Sequence, residues 1–509
     1  MATQLQPISI RNIGVYGVIR PAEVDDSLIP DGAITESINF SFDRKGAATL
    51  RAGLATLGAT VATQVGYPIW GLHNTQNGSM LAVVSQAGSS RVYAYGGTAW
   101  ASNLTSGTAN ASTGNIKIRF VNFADRIICL NWGNGTNAYS SMQVWIGREN
   151  NATWINTGAP INPQALTDQN NPSPQPQFGE VYKSRLYLAG GDTNFSNLRL
   201  SRLWFSNALS STGILTWDTG DNGAGWVDIN PNDGENITAL KRFSLELLVF
   251  KPNYIYRFRT KGVDPDPLIK IGTRSQESVI EGKRGLYFHH DTGFFRYSGG
   301  YPVEISRPIQ DVVDAIPYSR FANVSSWKDE DHIYWSLGNL TISEPNEDVT
   351  WRNVIARYTE SSEVWTIYSF SNDVNLGSDY NTGAALSRVV GTTTGVVATF
   401  DSGTTDFGEH IEYNLRTKWY EIENIVTRKI IQQIVALCEK AQGSTLAYQI
   451  DNDNKWRTIG QLRKFINYLN TDIACHRIRF KLYGTSTSEA FVFQGLEITK
   501  GINEGIVEE

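Results

Sequence analysis

The sequence predicts an all-β protein built around a β-propeller of six or seven blades. Charged residues make up only 18% of its 509 residues, whereas glycine (46), tryptophan (14), tyrosine (22) and phenylalanine (21) are abundant. Aromatic residues favour strands, and glycine favours the tight turns that join them. From about residue 65 to about residue 405, short alternating segments recur at a period of about 40–55 residues, which is typical of propeller blades. A set of unrelated meanders in a sandwich is the alternative.

The repeated unit is a small antiparallel meander. The clearest hairpin joins 245–250 to 254–258 across the turn Lys251-Pro-Asn253. In the fifth group, short turns at 291–293 and 299–300 separate three strands. The predicted strands, group by group, are 69–72, 81–84 and 91–95; 116–120, 126–130 and 143–145; 184–188, 203–205 and 226–229; 245–250 and 254–258; 285–289, 294–298 and 303–305; 332–337, 354–358 and 364–368; and 388–391 and 396–400.

A separate C-terminal domain, a small β-sandwich, is predicted over 406–509. Ile478, Phe480 and Leu482 alternate with polar side chains, which predicts a strand with one apolar face and one wet face. The stretch 430–440 is compatible with a helix, because its apolar residues can share a helical face, and equally with a strand. We favour the strand.

Composition and charge disfavour several classes of protein. The net charge is −6, whereas DNA-binding proteins usually present a basic face. A conduit through which DNA slides is compatible with a weakly acidic wall, because such a wall avoids tight binding to phosphates. No apolar run reaches the ~18 residues of a membrane span, and the N-terminus has no secretion signal, so we expect folding in a cytoplasm and no stable membrane insertion.

The three cysteines, Cys129, Cys438 and Cys475, are odd in number and widely spaced. This spacing indicates neither a disulfide framework nor a zinc site, and we expect buried free thiols.

No common catalytic signature is present. The sequence lacks GxxxxGK[ST], HExxH, GxSxG and a strand-linked GxGxxG. The only clustered histidines are in His289-His290-Asp291, and adjacent residues on a strand point to opposite faces, so we interpret this run as a strand end and turn. The sequence therefore predicts a protein that is not an enzyme, with no catalytic residue, cofactor or metal.

One segment resembles a calcium loop. Asp228, Asn230 and Asn232 alternate as calcium ligands do, but the sixth position is Asp233 instead of glycine and the twelfth is Ala239 instead of glutamate. A polar turn is the interpretation that we favour.

Two further features relate to glycan-cleaving propellers. Asp264 and Asp266, or the run 329–331, could supply an acid/base pair, but proximity in sequence does not set the separation that a sugar requires, and we expect solvated loop charges. The segment 399–406 resembles the Asp-box turn of sialidase propellers, except that Asp406 stands where an aromatic residue closes that motif.

A mildly basic region lies in the middle of the chain. It could follow a phosphate backbone, or it could be the solvated face of two hairpins, which we favour. Its members are Lys241, Arg242, Arg257, Arg259, Lys261, Lys283 and Arg284, interleaved with Tyr254, Tyr256 and Phe258.

The N-terminal run 29–53 resembles the opening of the tail nozzle proteins of short-tailed, podovirus-like bacteriophages, also called packaged-DNA stabilisation proteins. The matching residues are the Pro-x-Gly turn at 30–32, Asn39, Gly46 and Arg51-x-Gly53. The resemblance continues in 183–188, in 285–306, and in Asp453-Asn-Lys-Trp456 followed by 477–484.

This resemblance implies a propeller over 61–405 and a platform in which the N-terminal segment 1–60 packs with the C-terminal domain. It also implies a homohexameric ring below the portal and its adaptor, located in the virion tail and assembled in the host cytoplasm. The ring would extend the DNA channel, help to retain and deliver the genome, and meet tail fibres or tailspikes and a plug or needle protein. The alternative functions are a receptor-binding or a glycan-cleaving tail protein.

Overall fold

The computed structural model confirms that the protein is all-β. Its one α-helix in the described residues is α1, Gln310–Asp314. None of the helices in that part of the chain is long and apolar enough to cross a membrane. The structure describes residues 3–20, 28–58, 67–75, 78–86, 89–100, 112–113, 117–123, 126–130, 143–146, 155–156, 176–190, 200–208, 223–258, 266–343, 348–381, 386–422, 426–440, 443–451, 453–486 and 490–503.

Six short strands lie in the N-terminal segment. They do not form a sheet of their own, because each except β4 and β5 pairs only with strands from later in the chain. Their bounds are β1 Thr3–Gln4, β2 Ile8–Ile10, β3 Ile34–Ile38, β4 Phe40–Ser41, β5 Ala48–Leu50 and β6 Ala55–Thr56.

Strands β7 to β33 form seven antiparallel groups in chain order. The first six groups have four strands each, and β6 completes the seventh by pairing with its last strand. The groups are β7 Ile69–Asn74, β8 Met80–Gln86, β9 Ser89–Tyr95 and β10 Ser112–Thr113; β11 Arg119–Phe123, β12 Arg126–Leu130, β13 Gln143–Ile146 and β14 Ile155–Asn156; β15 Phe178–Tyr182, β16 Arg185–Ala189, β17 Arg202–Phe205 and β18 Gly225–Asp228; β19 Ala239–Phe243, β20 Glu246–Phe250, β21 Ile255–Phe258 and β22 Asp266–Ile269; β23 Ile280–Glu281, β24 Leu286–His290, β25 Gly293–Tyr297 and β26 Val303–Glu304; β27 Ser325–Lys328, β28 His332–Ser343, β29 Asp348–Thr359 and β30 Val364–Ser369; and β31 Val374–Asn381, β32 Leu386–Thr392 and β33 Val397–Thr399.

Hydrophobic cores lie between successive groups. Leu81 and Val83 of the first group pack with Ile127 and Cys129 of the second, and further cores join the second to the third, the third to the fourth, the fourth to the fifth and the sixth to the seventh. A sixth such core joins the two ends of the series, because the core around Ile69 in the first group includes residues of the seventh group. Strands β31 and β7 are also in direct contact.

The chain termini share two sheets. Strand β43 in the first of these pairs with β1, β2 and β5 from the N-terminal segment and with β38. In the second, β3 lies between β30 and β36, so that the sixth group continues into C-terminal strands β36, β42, β39 and β40. One large core includes residues of both sheets, among them Ile10, Phe40, Ile431 and Leu482. The strand bounds are β34 Thr405–Asp406, β35 Glu409–His410, β36 Glu412–Thr417, β37 Tyr420–Glu421, β38 Lys429–Glu439, β39 Ser444–Ile450, β40 Arg457–Leu462, β41 Ile466–Cys475, β42 Arg477–Thr485 and β43 Val492–Asn503.

Several predicted elements are confirmed. The hairpin of 245–250 with 254–258 is β20 paired with β21, the stretch 430–440 is the strand β38, and β42 buries alternate residues as expected. The predicted strand at 116–120 is wrong in its bounds, because β11 begins at Arg119. The stretch 156–178, rich in proline, asparagine and glutamine, is expected to be a long loop, but 157–175 lie outside the described residues.

Candidate functional site: buried charges and a groove

A buried ion pair joins the N-terminal segment to Asp406 in β34, the strand that follows the seventh group. Arg51 donates to the two carboxylate oxygens of Asp406 at 2.9 and 2.7 Å, and their side chains are only 1% and 4% exposed. The same guanidinium donates to Asn39 Oδ1 at 2.7 Å and to the Ser369 carbonyl at 2.7 Å, and it lies 3.8 Å from the ring centroid of Phe370. We call Arg51 and Asp406 the latch.

The latch gives a physical reason for two features of the sequence. Asp406 departs from the Asp-box pattern because it pairs with Arg51 instead of packing as an aromatic ring. Gly53 has no room for a side chain, since a Cβ there would lie 1.9 Å from the carbonyl oxygen of Thr405. In the Arg51-x-Gly53 motif, the arginine therefore forms a buried ion pair and the glycine allows the backbone to approach Thr405 closely.

A second charge cluster surrounds His332. Its Nδ1 lies 2.7 Å from Asp329 Oδ1 and its Nε2 lies 3.1 Å from Asp43 Oδ1, while Arg357 donates to Asp43 at 2.6 Å and Tyr334 to Asp329 at 2.8 Å. Burial opposes the charged forms, but these bonds outweigh it: the pKa of His332 is raised, and the pKa values of Asp43 and Asp329 are held well below their usual range.

Carboxylates lie within hydrogen-bond distance of both ring nitrogens of His332, and both nitrogens donate when the ring is protonated. The cluster thus ties Asp43 of the N-terminal segment to strands β28 and β29. The expectation that 329–331 carries solvated loop charges is wrong for Asp329, whose side chain is only 9% exposed, because it serves as the acceptor for His332 and Tyr334.

The loop that resembles a calcium site holds an ammonium group. Lys251 Nζ lies 2.7 Å from both carboxylate oxygens of Asp233, 3.1 Å from the Asn230 carbonyl and 3.2 Å from Ser201 Oγ. The side chain of Lys251 is 0% exposed. A lysine thus supplies the positive charge around which these oxygens converge, and the segment folds as a turn about it.

The histidine run and the thiols are buried. His289 and His290 end β24, as predicted, and burial lowers the pKa of His289 to about 3. Burial also raises the pKa of Cys438 to about 11 and that of Cys475 to about 12, so neither is a thiolate near neutral pH. All three cysteines are free and buried, as expected.

Two cations of the basic middle region lie beside acidic side chains. Arg284 pairs with Glu363 at 3.1 Å and Arg257 approaches Glu246 at 3.8 Å. Arg259, Lys261 and Asp264 lie outside the described residues, and Asp266 begins β22. Among the described residues, no cluster of three His, Cys, Asp or Glu side chains could hold a metal ion.

A large groove, with a volume of about 1990 Å³, is lined by the C-terminal strands, the β28–β29 hairpin, the N-terminal segment and α1. One wall consists of alternating cations and indoles, which we call the ladder. Trp419 lies 4.7 Å from the guanidinium of Arg477 and 4.5 Å from that of Arg479; Trp456 lies 5.4 Å from Arg479 and 5.6 Å from the ammonium of Lys481.

The ladder was not predicted from the sequence. The wet face of β42 was predicted, but Trp419 and Trp456 lie in connections before β37 and β40, far from β42 in sequence. Pairing of β37 and β39 with β42 brings these connections together.

No protein-family model matches the chain, and no curated protein matches it. Among solved structures, the extracellular domain of a hybrid two component system from B. thetaiotaomicron is 11% identical, with a TM-score of 0.41; the similarity covers 72% of this chain and 44% of that one. The AfRom2 CNH domain is 8% identical, with a TM-score of 0.37, over 69% of this chain and 98% of that one. The chain thus spans less than half of the first of these proteins, and likenesses of this strength carry no argument about function.

Proposed function

We propose that the seven strand groups are the blades of a seven-bladed β-propeller. Each of the first six groups consists of strands that are consecutive in sequence, and β6 from the N-terminal segment completes the seventh. The core shared by the first and seventh groups, and the contact of β31 with β7, support a closed ring. Completion of the last blade by a strand from the other chain end is a means of closing such a ring without free edges.

We propose in addition that the two sheets shared by the chain termini form a β-sandwich platform. Support comes from the core that includes residues of both sheets. The latch and the His332 cluster both connect the N-terminal segment to later strands, through Arg51 and Asp43 respectively. Such buried cross-links suit a rigid body that bears load.

We infer from these features that the protein is a structural subunit of a phage tail, forming a nozzle ring that extends the DNA channel below the portal and adaptor. The observation that carries this inference is the latch: residues of the nozzle-like motif, Asn39, Arg51 and Gly53, lie together at the junction of the two proposed bodies. The net charge of −6 also suits a channel along which DNA slides without adhering.

Mass photometry of the purified chain, with and without the portal–adaptor complex encoded beside it, tests this function. We expect the complex to gain the mass of six chains. A chain that stays monomeric and adds no mass to the complex would exclude the nozzle function.

A further inference from the structure

The ladder is a surface where several partly exposed cations line a groove beside aromatic rings. Arg477, Arg479 and Lys481 project from the outer face of β42 and are partly exposed, whereas Ile478, Phe480 and Leu482 point into the core. Gln449 accepts a hydrogen bond from Arg479 Nε at 2.7 Å, which fixes the plane of that guanidinium. The ladder thus presents preorganised cations at the groove wall.

We propose that the ladder is a docking site for an extended acidic peptide segment of a partner protein, held by its carboxylates. Alternate residues of a strand repeat at about 6.8 Å, so the three cations of β42 share the spacing of alternate side chains on an extended peptide. Guanidinium groups match carboxylates in geometry and bind them through charge-assisted hydrogen bonds.

The indoles argue against a nucleic acid as the occupant. Proteins bind single-stranded nucleic acids by stacking bases on exposed aromatic faces. Here Trp419 and Trp456 each have two cations over the ring, and these cations would compete with a base for the ring faces.

Charge in the rest of the groove also favours a peptide. The lining contains seven arginines and lysines but eight aspartates and glutamates, and the acids include Glu412, Asp451 and Asp453 near the ladder. A continuous phosphate backbone would be repelled by these carboxylates, whereas a peptide can place carboxylates on the cations and N–H donors near the acids.

The peptide would bind through side chains and not as an added strand. Both edges of β42 are already paired, with β36 and β37 on one side and β39 on the other. The site therefore differs from an open sheet edge, where backbone hydrogen bonds would supply most of the affinity.

Fluorescence anisotropy with a labelled peptide of alternating glutamate and threonine, long enough to span Arg477 to Lys481, tests the proposal at low ionic strength. We expect saturable binding that is weakened about tenfold by Arg479→Gln, the effect of losing one charge-assisted contact. Lys481→Gln should weaken binding by a smaller factor, and Arg479→Lys should retain part of it. The matched control is Arg307→Gln, since Arg307 is 84% exposed and lies outside the ladder, and it should leave binding unchanged.

Absence of peptide binding to the wild-type chain would overturn the proposal. Equal binding by the wild type, Arg479→Gln and Lys481→Gln would also overturn it, and Lys481→Gln keeps the test valid if Arg479→Gln does not fold. Tighter binding of a single-stranded oligonucleotide of equal charge would assign the ladder to nucleic acid instead. The assay uses the free chain, so its outcome is independent of ring assembly.

Discussion

Removing the negative charge of the latch should destabilise the protein strongly. In Asp406→Asn, the guanidinium of Arg51, which is 1% exposed, loses a carboxylate that accepts two of its hydrogen bonds. Breaking a buried ion pair by removing one partner costs about 3–5 kcal/mol, because the other charge stays buried. Asn39 and Ser369 still accept from Arg51, so we expect a loss near the lower end, about 3 kcal/mol in the free energy of unfolding.

The assay is urea denaturation followed by tryptophan fluorescence. The matched control is Glu439→Gln, which breaks the exposed pair of Arg44 and Glu439 and should cost less than about 1 kcal/mol. Replacing both latch residues by apolar ones, in Arg51→Met with Asp406→Leu, should recover part of the loss because no charge is left buried. If Asp406→Asn is no less stable than Glu439→Gln, the latch does not hold the two regions together.

Three further predictions concern Lys251, His289 and Gly53. Lys251→Met should lower the free energy of unfolding by about 3 kcal/mol, because it leaves the Asp233 carboxylate buried without its cation, and calcium should not stabilise the wild type in the same urea titration. The pKa of His289 is about 3 in the folded state against 6.5 as its reference value, so the unfolded chain binds more protons between these values. Stability should fall by about 1.4 kcal/mol per pH unit as pH decreases through that window, and His289→Phe should reduce this slope; an unchanged slope would contradict the assignment. Gly53→Ala should lower the melting temperature, because its Cβ would meet Thr405; a melting temperature equal to that of the wild type would show that the backbone there can yield.

Strands whose apolar residues alternate or run together could be predicted from the sequence. The hairpin of β20 and β21 is an example, because its residues are nearly all buried and pack on both faces. The opening strands β19, β27 and β31 were not predicted, because they carry polar residues such as those of Ser325-Ser-Trp-Lys328. These segments become strands through pairing with their neighbours, and a weak local pattern does not reveal such pairing.

Long-range pairings could not be predicted from local patterns. Arg51 and Asp406 are 355 positions apart, and β3 lies between strands β30 and β36 that begin more than three hundred residues later. The ladder has the same origin, since its two indoles come from separate connections. Motif comparison recognised the calcium-like loop and the Asp-box-like turn, but only the structure reveals Lys251 and Arg51 as the cations that these acidic residues hold.

Cryo-electron microscopy of the chain mixed with the portal and adaptor proteins of the same genome tests the central claim most directly. Our account predicts a six-fold ring of propeller-bearing subunits below the adaptor, with a central channel continuous with that of the portal. Isolated single chains, with no density added below the adaptor, would contradict it.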